Sequence, residues 1–142
     1  MDNINIIWRE ILDDTCNKNN IHLSPLMKQY LVLTISHYQT QADIGEQTLG
    51  YDLLKAVHLP PIERSLLLKK TGDNCLLMAG FFPEKHEKLM VPKSYFVQVG
   101  KTAYRSISEN KTQIGTDENI YQELDHHFLT LVYTLTNMRK PY

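Results

Sequence analysis

The sequence has only two cysteines, Cys16 and Cys75, among its 142 residues. They belong to no Cys-x-x-Cys or Cys/His spacing that binds zinc, and two are too few for a disulfide-stabilised secreted scaffold. We therefore expect free thiols and a reducing compartment, the cytoplasm. Cys75 opens an apolar stretch, where burial raises the pKa of a thiol, so we expect a core residue rather than a catalytic nucleophile.

Long apolar runs are also absent. The most apolar stretch, residues 26–35, is ten residues long and contains Lys28 and Gln29, whereas a membrane-spanning helix needs about 20 apolar residues. The first residues show no basic region followed by an apolar one, so we expect no signal peptide. These absences predict a protein that neither crosses nor binds a membrane.

A charge excess of one sign is missing as well, since the formal net charge is −1. This argues against a dedicated nucleic-acid-binding protein. Residues 55–111 nevertheless hold ten Lys/Arg against five Asp/Glu. The cations that could form a positive face for an acidic protein or a phosphate backbone are Lys69, Lys70, Lys85, Lys88, Lys93, Lys101 and Arg105. Alternatively, they pair with the acidic first third of the chain.

Motifs that carry catalysis or bind cofactors are lacking. The glycines form no phosphate-binding loop. Glu123 and His126 have the Glu-x-x-His spacing of half a di-iron site, but no second copy exists, and the apolar stripe of their helix turns both toward solvent. We therefore predict no catalytic residue, no metal and no cofactor, and expect a protein that is not an enzyme.

Apolar residues recur every three or four positions, while sustained alternation with period two is absent. This pattern predicts an all-α fold in which residues 1–142 form one domain, an orthogonal or irregular bundle of five to seven helices. The predicted helices cover residues 4–16, 24–38, 45–58, 61–80, 92–107 and 116–141.

Particular residues refine these helices. Ser24 and Pro25 are typical of a helix start, and the second helix is apolar on most sides, which predicts that it is the most buried. Gly72 predicts a break in the fourth helix within residues 70–74. Gly100 and Ala103 lie on one apolar face and predict a closely approaching neighbour.

Asp73 stands beside an otherwise apolar segment. One interpretation places it at the start of a new helix, where its carboxylate caps backbone N–H groups. Another makes it a buried partner of a cation such as Lys70 or Arg105. A third makes it a recognition residue.

Phe81 and Phe82 are adjacent aromatic residues at a helix end, and both cannot point into the core. One of them is therefore expected to be exposed and to form an interaction surface. Basic residues that would flank it are Lys85, Lys88 and Lys93. Alternatively, Phe82 folds back as an apolar cap.

The stretch 72–83 reads GDNCLLMAGFFP, and residues 95–104 read YFVQVGKTAY. This order of a GD, a GFFP or GLFP, and a YY or YF followed by G-x-x-A-Y resembles short bacterial proteins with no assigned activity. The resemblance implies a cytoplasmic protein of bacteria, and specifically of proteobacteria. It supplies no catalytic residues. We expect the motif residues to serve structural roles, namely tight turns, a helix cap or buried hydrogen bond, and close packing of helices. These residues are Gly72, Asp73, Gly80, Pro83, Gly100 and Ala103.

The leading hypothesis is a non-enzymatic adaptor or regulator that binds a protein partner, which the sequence does not identify. A second hypothesis is a small-ligand-binding protein or minor enzyme whose apolar pocket is lined by Tyr95, Phe96 and Tyr104. Nucleic-acid binding through residues 55–111 is a weaker third. The oligomeric state is not indicated.

Overall fold

The computed structural model describes residues 3–39, 49–82, 90–110 and 119–139, which form helices and contain no strand. The helices are α1 (Asn3–Asn19), α2 (Pro25–Gln39), α3 (Leu49–Ala56), α4 (Pro61–Gly80), α5 (Lys93–Asn110), α6 (Asn119–His126) and α7 (Phe128–Arg139). The predicted all-α bundle of five to seven helices is thus confirmed. Within these ranges, no helix combines the length and hydropathy that crossing a bilayer requires.

The helix ends follow local chemistry. The Met27 N–H donates a hydrogen bond to Ser24 Oγ at 3.2 Å, which confirms the predicted cap of α2. α1 continues past its predicted end at Cys16 and ends at Asn19, because Asn20 takes a left-handed conformation with φ of 55°. The Ile21 N–H then donates to the Cys16 carbonyl at 2.9 Å, as in a Schellman motif.

The predicted break of the fourth helix at residues 70–74 was wrong, because α4 runs without interruption from Pro61 to Gly80. A Cβ atom on Gly72 would lie 2.6 Å from Cε1 of Tyr104. Glycine is therefore required so that this ring can lie against the backbone of α4. Gly72 costs about 1 kcal/mol of helix propensity, and tertiary packing overrides this cost.

α4 is also the most deeply buried element, and this corrects the prediction for α2. Every residue of 71–80 is buried, whereas Leu26 and Leu33 of α2 are 46% and 51% exposed. α4 packs against α3, α5 and α7, and its contact with α5 is the most extensive between any two described helices. The polar residues of α4 obscured this position in the sequence.

α5 begins after Pro92 as predicted, and Phe96, Ala103 and Tyr104 of its apolar stripe are buried. A Cβ on Gly100 would lie 2.5 Å from Cζ of Phe128 and 2.9 Å from Cβ of Cys75. The predicted close approach at Gly100 is thus confirmed.

The remaining helices differ from prediction at their ends. The single helix expected over 116–141 is divided at His127 into α6 and α7. Hydrogen bonding continues across the division, since the His127 N–H donates to Glu123 O and the Leu131 N–H to His127 O, each at 2.9 Å. α3 ends at Ala56, two residues before its predicted end. Residues 45–48, 116–118 and 140–141 of the predicted helices lie outside the described residues.

Replacing Gly100 with Ala tests the close approach of α5 to its neighbours. We expect a loss of about 1–3 kcal/mol in the free energy of unfolding, because overpacking outweighs the gain in helix propensity. Urea unfolding measures this loss. Combining Gly100→Ala with Phe128→Leu should recover part of it, and a Gly100→Ala variant as stable as the wild type would contradict the packing described.

Candidate functional site

The carboxylate of Asp73 is completely buried in the centre of the bundle. Its Oδ1 atom accepts hydrogen bonds from the hydroxyls of Tyr30 at 2.5 Å and Tyr104 at 2.7 Å. Its Oδ2 atom forms an ion pair with Lys69 Nζ at 2.8 Å. These four residues, together with the adjoining Tyr121, form what we call the Asp73 cluster.

The cluster joins four helices. Lys69 precedes Asp73 by four residues, so the two side chains lie one turn apart on the same face of α4. Tyr30 comes from α2 and Tyr104 from α5, while the Tyr121 ring of α6 lies 6.0 Å and 6.1 Å from those two rings. Lys69 Nζ also lies 5.2 Å from the centre of the Tyr30 ring, a cation–π contact.

The pKa values of the three tyrosines in the cluster are raised. Burial, reinforced by the charge of Asp73, raises the pKa of Tyr30 and of Tyr104 well above the ordinary tyrosine value. Burial and the same carboxylate raise the pKa of Tyr121 to about 12. The hydroxyls of Tyr30 and Tyr104 therefore stay protonated and remain hydrogen-bond donors at neutral pH.

This arrangement is built to hold helices together rather than to catalyse a reaction. A general acid or base must come within hydrogen-bond reach of a substrate, but Asp73 has no exposed surface. Both carboxylate oxygens are already occupied by donors from the protein. The cluster thus answers the question posed by the sequence, since Asp73 is a buried hydrogen-bond and ion-pair partner.

The interpretation of Asp73 as a helix cap was wrong, while its interpretation as a buried partner of a cation is confirmed with a different cation. It caps no helix, because it lies in the interior of α4, and its cation is neither Lys70 nor Arg105. Arg105 instead pairs with Asp125, with Nε 3.1 Å from Oδ2 and Nη2 3.3 Å from Oδ1. The four-residue spacing of Lys69 and Asp73 was the signal in the sequence that would have indicated the correct partner.

Asp125 is a second buried carboxylate that the sequence analysis missed. It is 4% exposed, and it contacts Lys101 as well as Arg105. The hydrogen bond and charge of Asp125 raise the pKa of the Arg105 guanidinium. Three cations of the basic segment 55–111 are thus engaged within the protein, but their partners Asp73 and Asp125 do not belong to the acidic first third.

The other candidate groups lie apart from one another. Glu123 is half-buried and His126 exposed on α6, and no three metal-binding side chains converge within the described ranges. Cys16 and Cys75 are both buried, free thiols. Burial raises the pKa of Cys75, which confirms the expectation of a core thiol.

An apolar pocket lies beside the end of α4. Its volume is about 160 Å³, and its lining residues are Trp8, Ile35, Tyr38, Leu77, Phe81 and Phe82. The rings of Trp8 and Phe81 meet edge to face with their centres 5.6 Å apart, and those of Phe81 and Phe82 do so at 5.4 Å. We call this feature the Trp8 pocket.

The chain places both phenylalanines at this pocket through backbone hydrogen bonds. The N–H groups of Phe81 and Phe82 both donate to the Leu77 carbonyl, at 2.8 Å and 2.9 Å. Nε of Arg139 donates to the Phe81 carbonyl at 3.1 Å, which joins the end of α4 to the end of α7. Both phenylalanines are half-buried, so the structure makes neither of them a fully exposed residue.

Among the described residues, no other predicted site residue lines this pocket. Lys93 is exposed at the start of α5, while Pro83, Lys85 and Lys88 lie outside the described residues. Phe96 and Tyr104 are core residues, and the Tyr95 hydroxyl accepts a hydrogen bond from the Gly50 N–H at 3.0 Å. The sequence analysis missed four lining residues, because their proximity depends on the fold: Trp8, Ile35, Tyr38 and Leu77.

Substitutions at Asp73 test the energetic importance of the cluster. Asp73→Ala removes the acceptor of two tyrosine hydroxyls and of Lys69, and we expect it to destabilise the protein by about 3–5 kcal/mol. Asp73→Asn keeps an acceptor oxygen but loses the charge, so we expect about 1–3 kcal/mol. Asp13→Asn is the matched control, since Asp13 pairs with Arg9 and Lys28 at a half-exposed position, and should cost less than about 1 kcal/mol. Urea unfolding in which Asp73→Ala and Asp13→Asn were equally stable would contradict this account.

The shifted tyrosines predict a characteristic alkaline unfolding. A pKa that is higher in the folded than in the unfolded state gives stability that is complete below the unfolded value of about 10 and falls as the pH rises above it. Each such tyrosine contributes a slope of about 1.4 kcal/mol per pH unit. Denaturant unfolding from pH 9 to 11.5 measures the slope, which Tyr104→Phe should reduce. Gly100→Ala should lower stability and leave the slope unchanged, and equal slopes for wild type and Tyr104→Phe would refute the assignment.

Comparisons of the chain with protein families, with curated proteins and with solved structures found no match. The resemblance of residues 72–104 to short bacterial proteins stays a prediction.

Proposed function

We propose that this protein is a non-enzymatic adaptor or regulator that binds a partner protein through the Trp8 pocket. One apolar side chain of the partner would enter between Trp8, Tyr38 and Phe82. The observation that supports this proposal most strongly is the pocket itself, which is apolar, lined by aromatic rings and formed by the two phenylalanines that the sequence singles out.

The size of the pocket favours a side chain over a metabolite. An apolar cavity of about 150 Å³ accommodates a molecule of the size of benzene, and the Trp8 pocket measures about 160 Å³. Pockets for drug-sized ligands or substrates occupy about 300–1,000 Å³. A leucine or phenylalanine side chain is therefore the occupant that fits.

The chemistry of the lining points the same way. Tryptophan, tyrosine and phenylalanine are enriched where protein interfaces bury their central contacts, and this pocket contains all three. Lys85 and Lys88 follow Phe82 within six residues of the sequence, and their charge would favour a partner with acidic residues beside its apolar anchor.

The alternative hypotheses have less support. The stripe of Phe96 and Tyr104 is packed into the core, which argues against a ligand pocket at that place. Nucleic-acid binding would use phosphate contacts, but Lys69, Lys101 and Arg105 are paired with carboxylates. Action in the bacterial cytoplasm remains part of the proposal, and the resemblance at residues 72–104 and the free thiols support it.

The chain contains a single tryptophan, and its position in the pocket gives a direct binding signal. We expect benzene to shift the fluorescence emission of Trp8 in a saturable manner, because an apolar occupant changes the surroundings of the indole. Phe82→Ala should abolish saturation, since it removes one wall of the pocket. Leu129→Ala, at an exposed apolar residue of α7, is the matched control and should bind benzene as the wild type does.

Partner binding is tested with the same variants in a pull-down from the source cell. We expect a stoichiometric protein partner that is lost with Phe82→Ala or Lys85→Glu and retained with Leu129→Ala. Absence of any partner, together with turnover of a small metabolite by the purified protein, would overturn the proposal.

A further inference from the structure

A second surface of the molecule exposes large apolar side chains on two consecutive helices. Three come from α3 and the turn after it, and two from the first turns of α4. Each is between 54% and 70% exposed. We call this surface the α3–α4 face, and its apolar residues are Tyr51, Leu54, Val57, Ile62 and Leu66.

α3 is a short helix that leaves large apolar side chains exposed. α3 has only eight residues, and isolated helices shorter than about 12–15 residues are marginal in water. Yet Leu54 is 70% exposed, while among the side chains of α3 whose burial is described the buried one is the small Ala56. Single exposed apolar residues are ordinary, but a group of them on adjoining helices is typical of an interaction surface.

The charges on this face indicate the kind of partner. Asp52 and Lys55 lie on α3, and Glu63 and Lys70 on α4. None of the four forms an ion pair with another residue in the described ranges, as the ion pairs there involve other side chains. Two of these four side chains are anions and two are cations.

A face that carries charges of both signs suits a copy of itself. A nucleic acid, an anionic membrane or an acidic protein would be selected by an excess of positive charge. A two-fold interface instead places the same patch on both subunits, so each cation can meet an anion only if the patch carries both.

We propose that the α3–α4 face binds the α3–α4 face of a second copy of this chain, forming a two-fold symmetric dimer. The apolar side chains would be buried at the centre, and Asp52, Lys55, Glu63 and Lys70 would pair across the rim. Ile62 and the pocket residue Leu77 are about 22 Å apart along α4, at 1.5 Å per residue. The dimer therefore leaves both Trp8 pockets accessible, and its formation is independent of the function proposed for them.

Sedimentation equilibrium tests the apolar part of the interface. We expect the wild-type protein to be dimeric at concentrations on the order of 100 μM, and Leu54→Glu to raise the dimer dissociation constant at least tenfold. Leu129→Glu is the matched control, because Leu129 is 63% exposed on α7, away from the face, and should dimerise as the wild type does. A wild-type protein that is monomeric up to about 1 mM, or a Leu54→Glu variant that dimerises normally, would overturn the proposal.

Charge variants test self-complementarity even if Leu54→Glu disturbs folding. Lys55→Glu with Lys70→Glu makes the face wholly negative, and Asp52→Lys with Glu63→Lys makes it wholly positive. Each double variant alone should dimerise at least tenfold more weakly than the wild type, because like charges then face each other. An equimolar mixture should restore association as a heterodimer. Double variants that dimerise as the wild type does, or a mixture that stays monomeric, would contradict the inferred dimer.

Discussion

The carboxylate of Asp73 is the constraint on which the arrangement of this bundle depends. Removing a carboxylate from water is costly unless its oxygens are matched by donors. Here the donors come from the hydroxyls of Tyr30 and Tyr104 and from the ammonium of Lys69. Because hydroxyl hydrogen bonds require short distances and good alignment, they fix how α2 and α5 lie against α4.

Two glycines of α4 allow neighbouring helices to approach it closely. Tyr104 reaches Asp73 only because its ring lies over Gly72, the residue immediately before the aspartate. Farther along α4, a Cβ on Gly80 would lie 2.8 Å from Cβ of Leu135, so α7 also approaches closely. The position of α4 in turn places Phe81 and Phe82 beside Trp8, which forms the Trp8 pocket.

The features predicted correctly from the sequence are those that depend on residues close together in the chain. The cap at Ser24, the start of α5 after Pro92 and the close approach at Gly100 were correct, because each follows from local geometry or from a single periodic stripe. The break at Gly72 was wrong because a penalty of about 1 kcal/mol is small compared with the packing around it. The pairing of Lys69 with Asp73 could also have been predicted, because the two residues are four positions apart in one helix. Asp125 with Arg105, and Trp8 with Phe81, join residues far apart in the chain, which one sequence does not reveal.

A double-mutant cycle between Asp73→Ala and Tyr104→Phe tests the central role of this carboxylate most directly. The free energies of unfolding of the wild type, the two single variants and the double variant give the coupling energy of the pair. We expect about 1–3 kcal/mol, because the two side chains share a buried, charge-assisted hydrogen bond. A coupling energy within about 0.5 kcal/mol of zero, as independent sites show, would contradict the claim that this interaction organises the bundle.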